Sequence, residues 1–144
     1  MSRAQWSTAV LRVFGDDLDP DEISALLGSR PSSSARKGDR QVIGTAGRIR
    51  ILKTGRWSLH AVDSRPEDIE AQIFAILDGL TADMAVWRSL GERYQVDMFC
   101  GLFMDSGNDN LLLSSKALLA LGQRGIELEL DIYDPIEDES AEPH

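Results

Sequence analysis

The sequence predicts an α+β fold: a two-layer domain of about five mostly antiparallel strands with helices on one face of the sheet. Three observations predict it. A strand, turn and helix pattern occurs once near each end of the chain, three segments alternate apolar with polar residues, and a helical block with one apolar stripe lies between them. The repeated terminal pattern further suggests an internal pseudo-twofold in the manner of ferredoxin-like folds.

The first strand is expected over about Thr8 to Phe14, with Ala9, Leu11 and Val13 on the core side and Arg12 opposite. Asp19 as N-cap, Pro20 at the first helical position and Asp21 and Glu22 in the first turn open a short helix that Gly28 ends. From Ser29 to Gly44 the chain is rich in Ser, Arg and Gly and reads as a long loop. Strands at Arg48 to Lys53 and Arg56 to Val62 follow, joined at Thr54-Gly55 as a tight hairpin. Ile49 and Ile51 alternate with Arg48 and Arg50, and Trp57, Leu59 and Ala61 with Arg56, Ser58 and His60. Each strand therefore has one apolar and one wet face.

Pro66, Glu67 and Asp68 open a second helix whose stripe is Ile69, Ile73, Ile76, Leu77 and Leu80, and Thr81 caps a third carrying Met84, Trp87 and Leu90. Val96 to Met104 is apolar on both faces and reads as a central strand. The second strand-helix copy runs from Cys100, Leu102 and Phe103 through the capping Ser114 to Gly122. The closing strand sets Ile126, Leu128, Leu130 and Ile132 against Glu127, Glu129, Asp131 and Tyr133. Residues 1–134 are read as one domain, a size that supports one core. Residues 135–144 continue an acid- and proline-rich run from Asp134 and are expected to form a disordered tail.

The net charge of −9 is segregated. Residues 1–60 hold ten Lys and Arg against six Asp and Glu, and residues 61–144 hold five against eighteen. The stretch from Arg30 to Arg56 has eight basic residues and only Asp39 opposing them. Such a patch suits an acidic partner, a phosphate group or RNA, or else faces the protein's own acidic strand and tail. No run approaches the roughly 18 apolar residues of a membrane span, and the N-terminus lacks a signal peptide's apolar stretch. The expected compartment is the cytoplasm, with no membrane partner.

Chemistry is sparsely signalled. Asp17, Asp19 and Asp21 alternate like calcium-loop ligands, but Glu22 stands where that loop needs Gly, and Gly28 where it needs Glu; no metal is expected. His60 and His144 are the only histidines, so catalytic dyads and histidine-rich metal sites are hard to build. Cys100, the single cysteine, excludes an intramolecular disulfide and reads as a buried strand residue. Ser32 to Gly38 holds residues suited to anion contact without the spacing of a nucleotide loop. No cofactor and no catalytic residue is expected.

The residues Leu18-Asp19-Pro20, Pro31, Lys37-Gly38-Asp39, Gly55-Arg56-Trp57-Ser58-Leu59 and Asp131-Ile132-Tyr133 together resemble domain-of-unknown-function family 4279. The resemblance runs from the first strand to Tyr133 and implies a compact bacterial single-domain protein, with the position matching Trp57 most worth testing. It implies no substrate. The functional expectation is a non-enzymatic binding or interaction module, regulatory or immunity-type by analogy, acting on a protein partner or on itself. The binding candidates are Arg36, Lys37, Arg40, Arg56, Trp57 and His60. The alternatives are an anion or nucleic-acid binder using the basic 30–56 stretch, and an enzyme with a pocket near Trp57.

Overall fold

The structure, a computed structural model, describes residues 3–135. In chain order the elements are β1 (Trp6–Gly15), α1 (Pro20–Leu27), β2 (Ser33–Ala35), β3 (Arg40–Ile43), β4 (Arg48–Ile51), β5 (Gly55–His60), α2 (Ile69–Asp78), α3 (Met84–Arg93), β6 (Gln95–Phe103), α4 (Ser115–Gln123) and β7 (Glu127–Tyr133). One sheet runs β2-β5-β1-β6-β7, while β3 and β4 form a separate two-stranded sheet. Within the larger sheet β6 and β7 are parallel and the other neighbours are antiparallel. The fold is α+β with a mixed, mostly antiparallel five-stranded sheet.

Caps set the helix boundaries. The Asp19 carboxylate accepts from the Asp21 amide at 3.0 Å, Asp68 from Ala71 at 3.2 Å, and the Ser114 hydroxyl from Ala117 at 3.1 Å. Gly28 ends α1 in the left-handed region at φ 80°. The cap of α3 is Asp83, not Thr81, and accepts from the Ala85 amide at 2.9 Å. Thr81 supports that turn from outside, its carbonyl accepting from the Trp87 indole at 3.0 Å. α4 runs past Gly122 to Gln123.

Alternation on the strands builds a one-sided core. Ala9, Leu11 and Val13 of β1, Trp57 of β5 and Val96, Met98 and Cys100 of β6 meet Ile23, Ile69, Ile73, Trp87, Leu90 and Leu121 of the helices, all buried. His60 and Glu129 are exposed, as a sheet with helices on one face requires, and Arg50 is exposed on the separate β4. A polar clip holds α2 to β1. The buried Ser7 hydroxyl donates to Gln72 Oε1 at 2.6 Å and accepts from the Asp68 amide at 3.0 Å. Gln72 Nε2 donates in turn to the carbonyls of Ser7 and Val62 at 3.0 and 2.9 Å, so the buried amide is fully engaged.

Each half of the chain holds a strand-helix-strand unit, β1-α1-β2 and β6-α4-β7, with its two strands running the same way. The units differ in what lies between their strands. β5 is inserted between β1 and β2, whereas β7 lies directly beside β6. A ferredoxin-like repeat interleaves its two units. The strand inserted here into the first unit, β5, belongs to β5-α2-α3-β6, whose strands in turn flank β1, so the interleaving joins those two units and the repeat expected between the terminal units is not shown.

Two further expectations are corrected. The Ser29-to-Gly44 segment contains β2 and β3, and β4 makes its hairpin with β3, not with β5. The reason lies in the glycines. Gly44 and Gly47 sit at φ 72° and 70°, conformations that favour glycine, and make the turn of the β3–β4 hairpin. Gly55 starts β5 opposite Gly15, where an added Cβ would lie 2.8 Å from the Gly15 carbonyl oxygen. Thr54-Gly55 is thus a point of close strand approach rather than a turn. The expected acidic tail, residues 135–144, lies outside the described residues apart from Pro135.

Candidate functional site

The open face of the sheet is built from the alternate residues that the helices do not cover. At its centre Arg12 donates to both carboxylate oxygens of Asp97, at 2.8 and 2.7 Å, and to Glu129 at 3.1 Å. Its guanidinium lies 4.3 Å from the Phe99 ring centroid and 5.0 Å from that of Phe14. The hydrogen bond to Asp97 raises the Arg12 pKa above its ordinary value. Arg12 is a fixed strut, with its charge spent on Asp97 and Glu129.

At one end of this face Trp6, Phe103 and Tyr133 form a stack across three strands, with centroids 3.7 and 4.5 Å apart and planes within 5°. Arg65 closes the Trp6 end at 4.6 Å from the ring. Rings stacked in this direction turn their faces to one another and their edges outward. Nucleic-acid platforms need ring faces offered to bases, and here the Trp6 and Phe103 faces are occupied. The outer face of Tyr133 ends the stack at the edge strand β7.

At the far end of the sheet the β3–β4 hairpin extends as an arm. Its base is held by hydrogen bonds of 2.8 and 2.9 Å that link Gly38 to Leu52 and Leu52 to Asp39, with the Leu52 side chain buried. Register and pleat place Arg40, Val42, Ile49 and Ile51 on one face and Gln41, Ile43, Arg48 and Arg50 on the other. Val42 is 70% exposed and Ile49 and Ile51 are each 60% exposed. The acids near the base of the arm are taken by cations outside it. Arg36 pairs with Asp19 at 2.9 Å and Asp21 at 3.7 Å, and Lys37 with Asp16 at 3.6 Å. Among the described residues Arg40, Arg48, Arg50 and Lys53 form no ion pair.

The model of the family described as Domain of unknown function (DUF4279) matches residues 4–135. The chain belongs to that family. No curated protein and no solved structure matches it. The DUF4279 match spans every element from β1 to β7, so the arm and the β7 edge both fall within it.

The binding candidates read from the sequence of this DUF4279 protein do not converge on one spot. Arg36 and Lys37 are tied to the acidic turn between β1 and α1, and Arg40 lies on the arm. Arg56 is half-buried on β5, its Nε lacking a hydrogen-bond partner. Trp57 is fully buried, and its indole donates to the Ser24 hydroxyl at 3.0 Å, which makes it a packing residue and no pocket wall. His60 is exposed and lines a groove of about 310 Å³ with Leu59, Val62 and Ile76. Burial pushes the Cys100 thiol up to about 12, which leaves it without nucleophilic thiolate near neutral pH. Among the described residues no three His, Cys, Asp or Glu side chains converge as metal ligands would.

Two features escaped the sequence reading. The aromatic stack had a signal: Trp6 shares the parity of Arg12 on β1, and Phe103 that of Asp97 on β6. Only the register shows that Trp6 stands opposite Phe103, and Phe103 opposite Tyr133. The arm had a signal too, in Arg48-Ile49-Arg50-Ile51, but alternation alone assigns the isoleucines to the core.

Proposed function

We propose that this protein is a cytoplasmic protein-interaction module that docks through its β3–β4 arm. The observation that carries the reading is the exposure of Val42, Ile49 and Ile51 on one face of a two-stranded arm. An isolated hairpin of that size is marginal in water, and three or more strands or a packed helix are needed to make it stable. Apolar side chains held out on it gain their burial only when another surface covers them. The sealed Trp57 and the inert Cys100 support binding over catalysis. A regulatory or immunity-type role would use such a module to occupy a partner's surface.

Binding of an anion or nucleic acid is the second reading, favoured by the unpaired Arg40, Arg48, Arg50 and Lys53. It predicts affinity that falls steeply with salt. The interleaved isoleucines favour a protein surface, because phosphate contact leaves them uncovered.

The test replaces residues 40–51 by a short Gly-Ser turn and compares capture of partners by the two proteins at physiological salt. Circular dichroism checks that the larger sheet is retained. Proteins held by the wild type, lost with the arm and indifferent to nuclease are the expected result. Equal capture by both forms would refute the reading, and nuclease-sensitive capture would favour the second one.

A further inference from the structure

The arm and the edge strand β7 carry opposite versions of one pattern. β4 reads Arg48-Ile49-Arg50-Ile51, basic and apolar in alternation, and β7 reads Glu127-Leu128-Glu129-Leu130-Asp131-Ile132-Tyr133, acidic and apolar in alternation. Among the described residues each strand has a neighbour on one side only, β3 for β4 and β6 for β7, so each presents an unpaired backbone edge. From this complementarity we propose that the arm of one copy adds as a strand to the β7 edge of a second copy of this chain. The proposal rests on the reading of the arm as a docking element and names its occupant.

The faces agree as well as the charges. With β4 laid beside β7, Arg48 and Arg50 stand on the open face among Glu127, Glu129 and Asp131, while Ile49 and Ile51 continue the row of Leu128, Leu130 and Ile132. Ile132 is 56% exposed, and α4, which packs against β7, leaves Leu118 and Leu119 exposed at 53% and 59%. The exposed apolar residues of the arm and those at the β7 end are thereby matched. An antiparallel register that sets Arg50 opposite Glu129 also sets Arg48 opposite Asp131, Ile49 opposite Leu130 and Ile51 opposite Leu128.

Two alternatives for the β7 edge are disfavoured. Pairing β7 with β7 of another copy about a twofold at Leu130 would oppose Glu129 to Asp131, and like charges directly opposite repel. Pairing within one chain is barred by the strand order. The arm leaves the sheet between β2 and β5, at the opposite end from β7, and four strand spacings of about 4.8 Å separate β2 from β7. A second copy supplies the edge instead. Because arm and edge are different surfaces the contact is heterologous, and it closes on itself only if both copies exchange arms.

The experiment is sedimentation velocity on the full chain across concentration, at about 50 mM and about 500 mM salt, where the screening length differs several-fold. Wild type should gain mass with concentration at low salt, with association weakened about tenfold at high salt. Two double variants, R48E/R50E on the arm and E129K/D131K on β7, should each be monomeric alone, because each opposes like charges at both paired positions. Mixed in equal amounts they should associate, since the acidic arm then meets a basic edge and the basic arm an acidic one. A wild type that stays monomeric at low salt and high concentration overturns the proposal. So does association that survives in either variant alone, or two variants that fail to associate when mixed. Monomeric wild type with partners still lost on arm replacement would overturn this inference and leave the interaction-module reading standing; equal capture by both forms would remove that reading instead.

Discussion

Arg12 on β1 and Asp97 on β6 face each other in the antiparallel register and join through two hydrogen bonds, 2.8 and 2.7 Å long. The pair sits on the open face of the sheet, yet the Asp97 side chain is only 9% exposed, so neighbouring side chains exclude water from its carboxylate. Removing one partner leaves the other charge poorly solvated. Asp97→Ala is expected to cost about 2–3 kcal/mol in urea unfolding. The double replacement of Arg12 by Met and Asp97 by Leu should recover most of that loss, because a matched apolar pair strands no charge. A single variant as stable as the wild type would show that the pair is fully hydrated.

Phe103 is the middle ring of the stack and touches both of the others. Two ring contacts at about 1 kcal/mol each predict a loss of about 2 kcal/mol for Phe103→Ala. Tyr133→Ala, which removes one contact at the sheet edge, should cost about half as much. Thermal melts of the two variants check the ratio, and equal losses would mean that burial rather than stacking sets the cost.

Gly55 stands where an added Cβ meets the Gly15 carbonyl oxygen at 2.8 Å and the Leu18 side chain at 3.1 Å. Backbone cannot swing aside as a flexible side chain does. Gly55→Ala should therefore destabilise by about 1–3 kcal/mol. Gly107→Ala, with nothing within 4 Å, is the matched control and should be near neutral. Chemical denaturation distinguishes them.

Glu70 of α2 accepts a 2.6 Å hydrogen bond from the Ser114 amide at the start of α4. That bond lowers the Glu70 pKa below its ordinary 4.5. The sign follows from linkage. A depressed carboxyl pKa contributes stability that is present above 4.5 and disappears as pH falls through the lower folded value. Melting temperatures of wild type and Glu70→Gln should differ at pH 7 and converge in acid. A gap that persists below the folded pKa would assign the contribution to packing.

Helix starts and core faces were legible because their causes are local. The Asp19-Pro20 start, the Gly28 stop and the Ser114 cap each satisfy groups within a few residues, and period-two alternation sorts Leu11 from Arg12 without reference to the rest of the chain. The turn of the second hairpin was misplaced because Gly44, Gly47 and Gly55 look alike in sequence, while only two of them have positive φ. The site was less legible still. The basic stretch stood out by charge, but whether Arg36 or Arg48 is the free cation depends on which acids the fold carries alongside, and Asp16, Asp19 and Asp21 are claimed by Arg36 and Lys37.

By itself the sequence determined the α+β class, most of the helix starts and the core side of β1, β5 and β7, since these follow from local capping and from the two-residue period of a strand, and its short motifs resembled the family. Tertiary structure decided the order of the strands, the detached arm and the identity of the unpaired edges. Those depend on pairing between residues far apart in the chain, and hydrophobic alternation is the same whether a strand's apolar side faces its own core or another molecule.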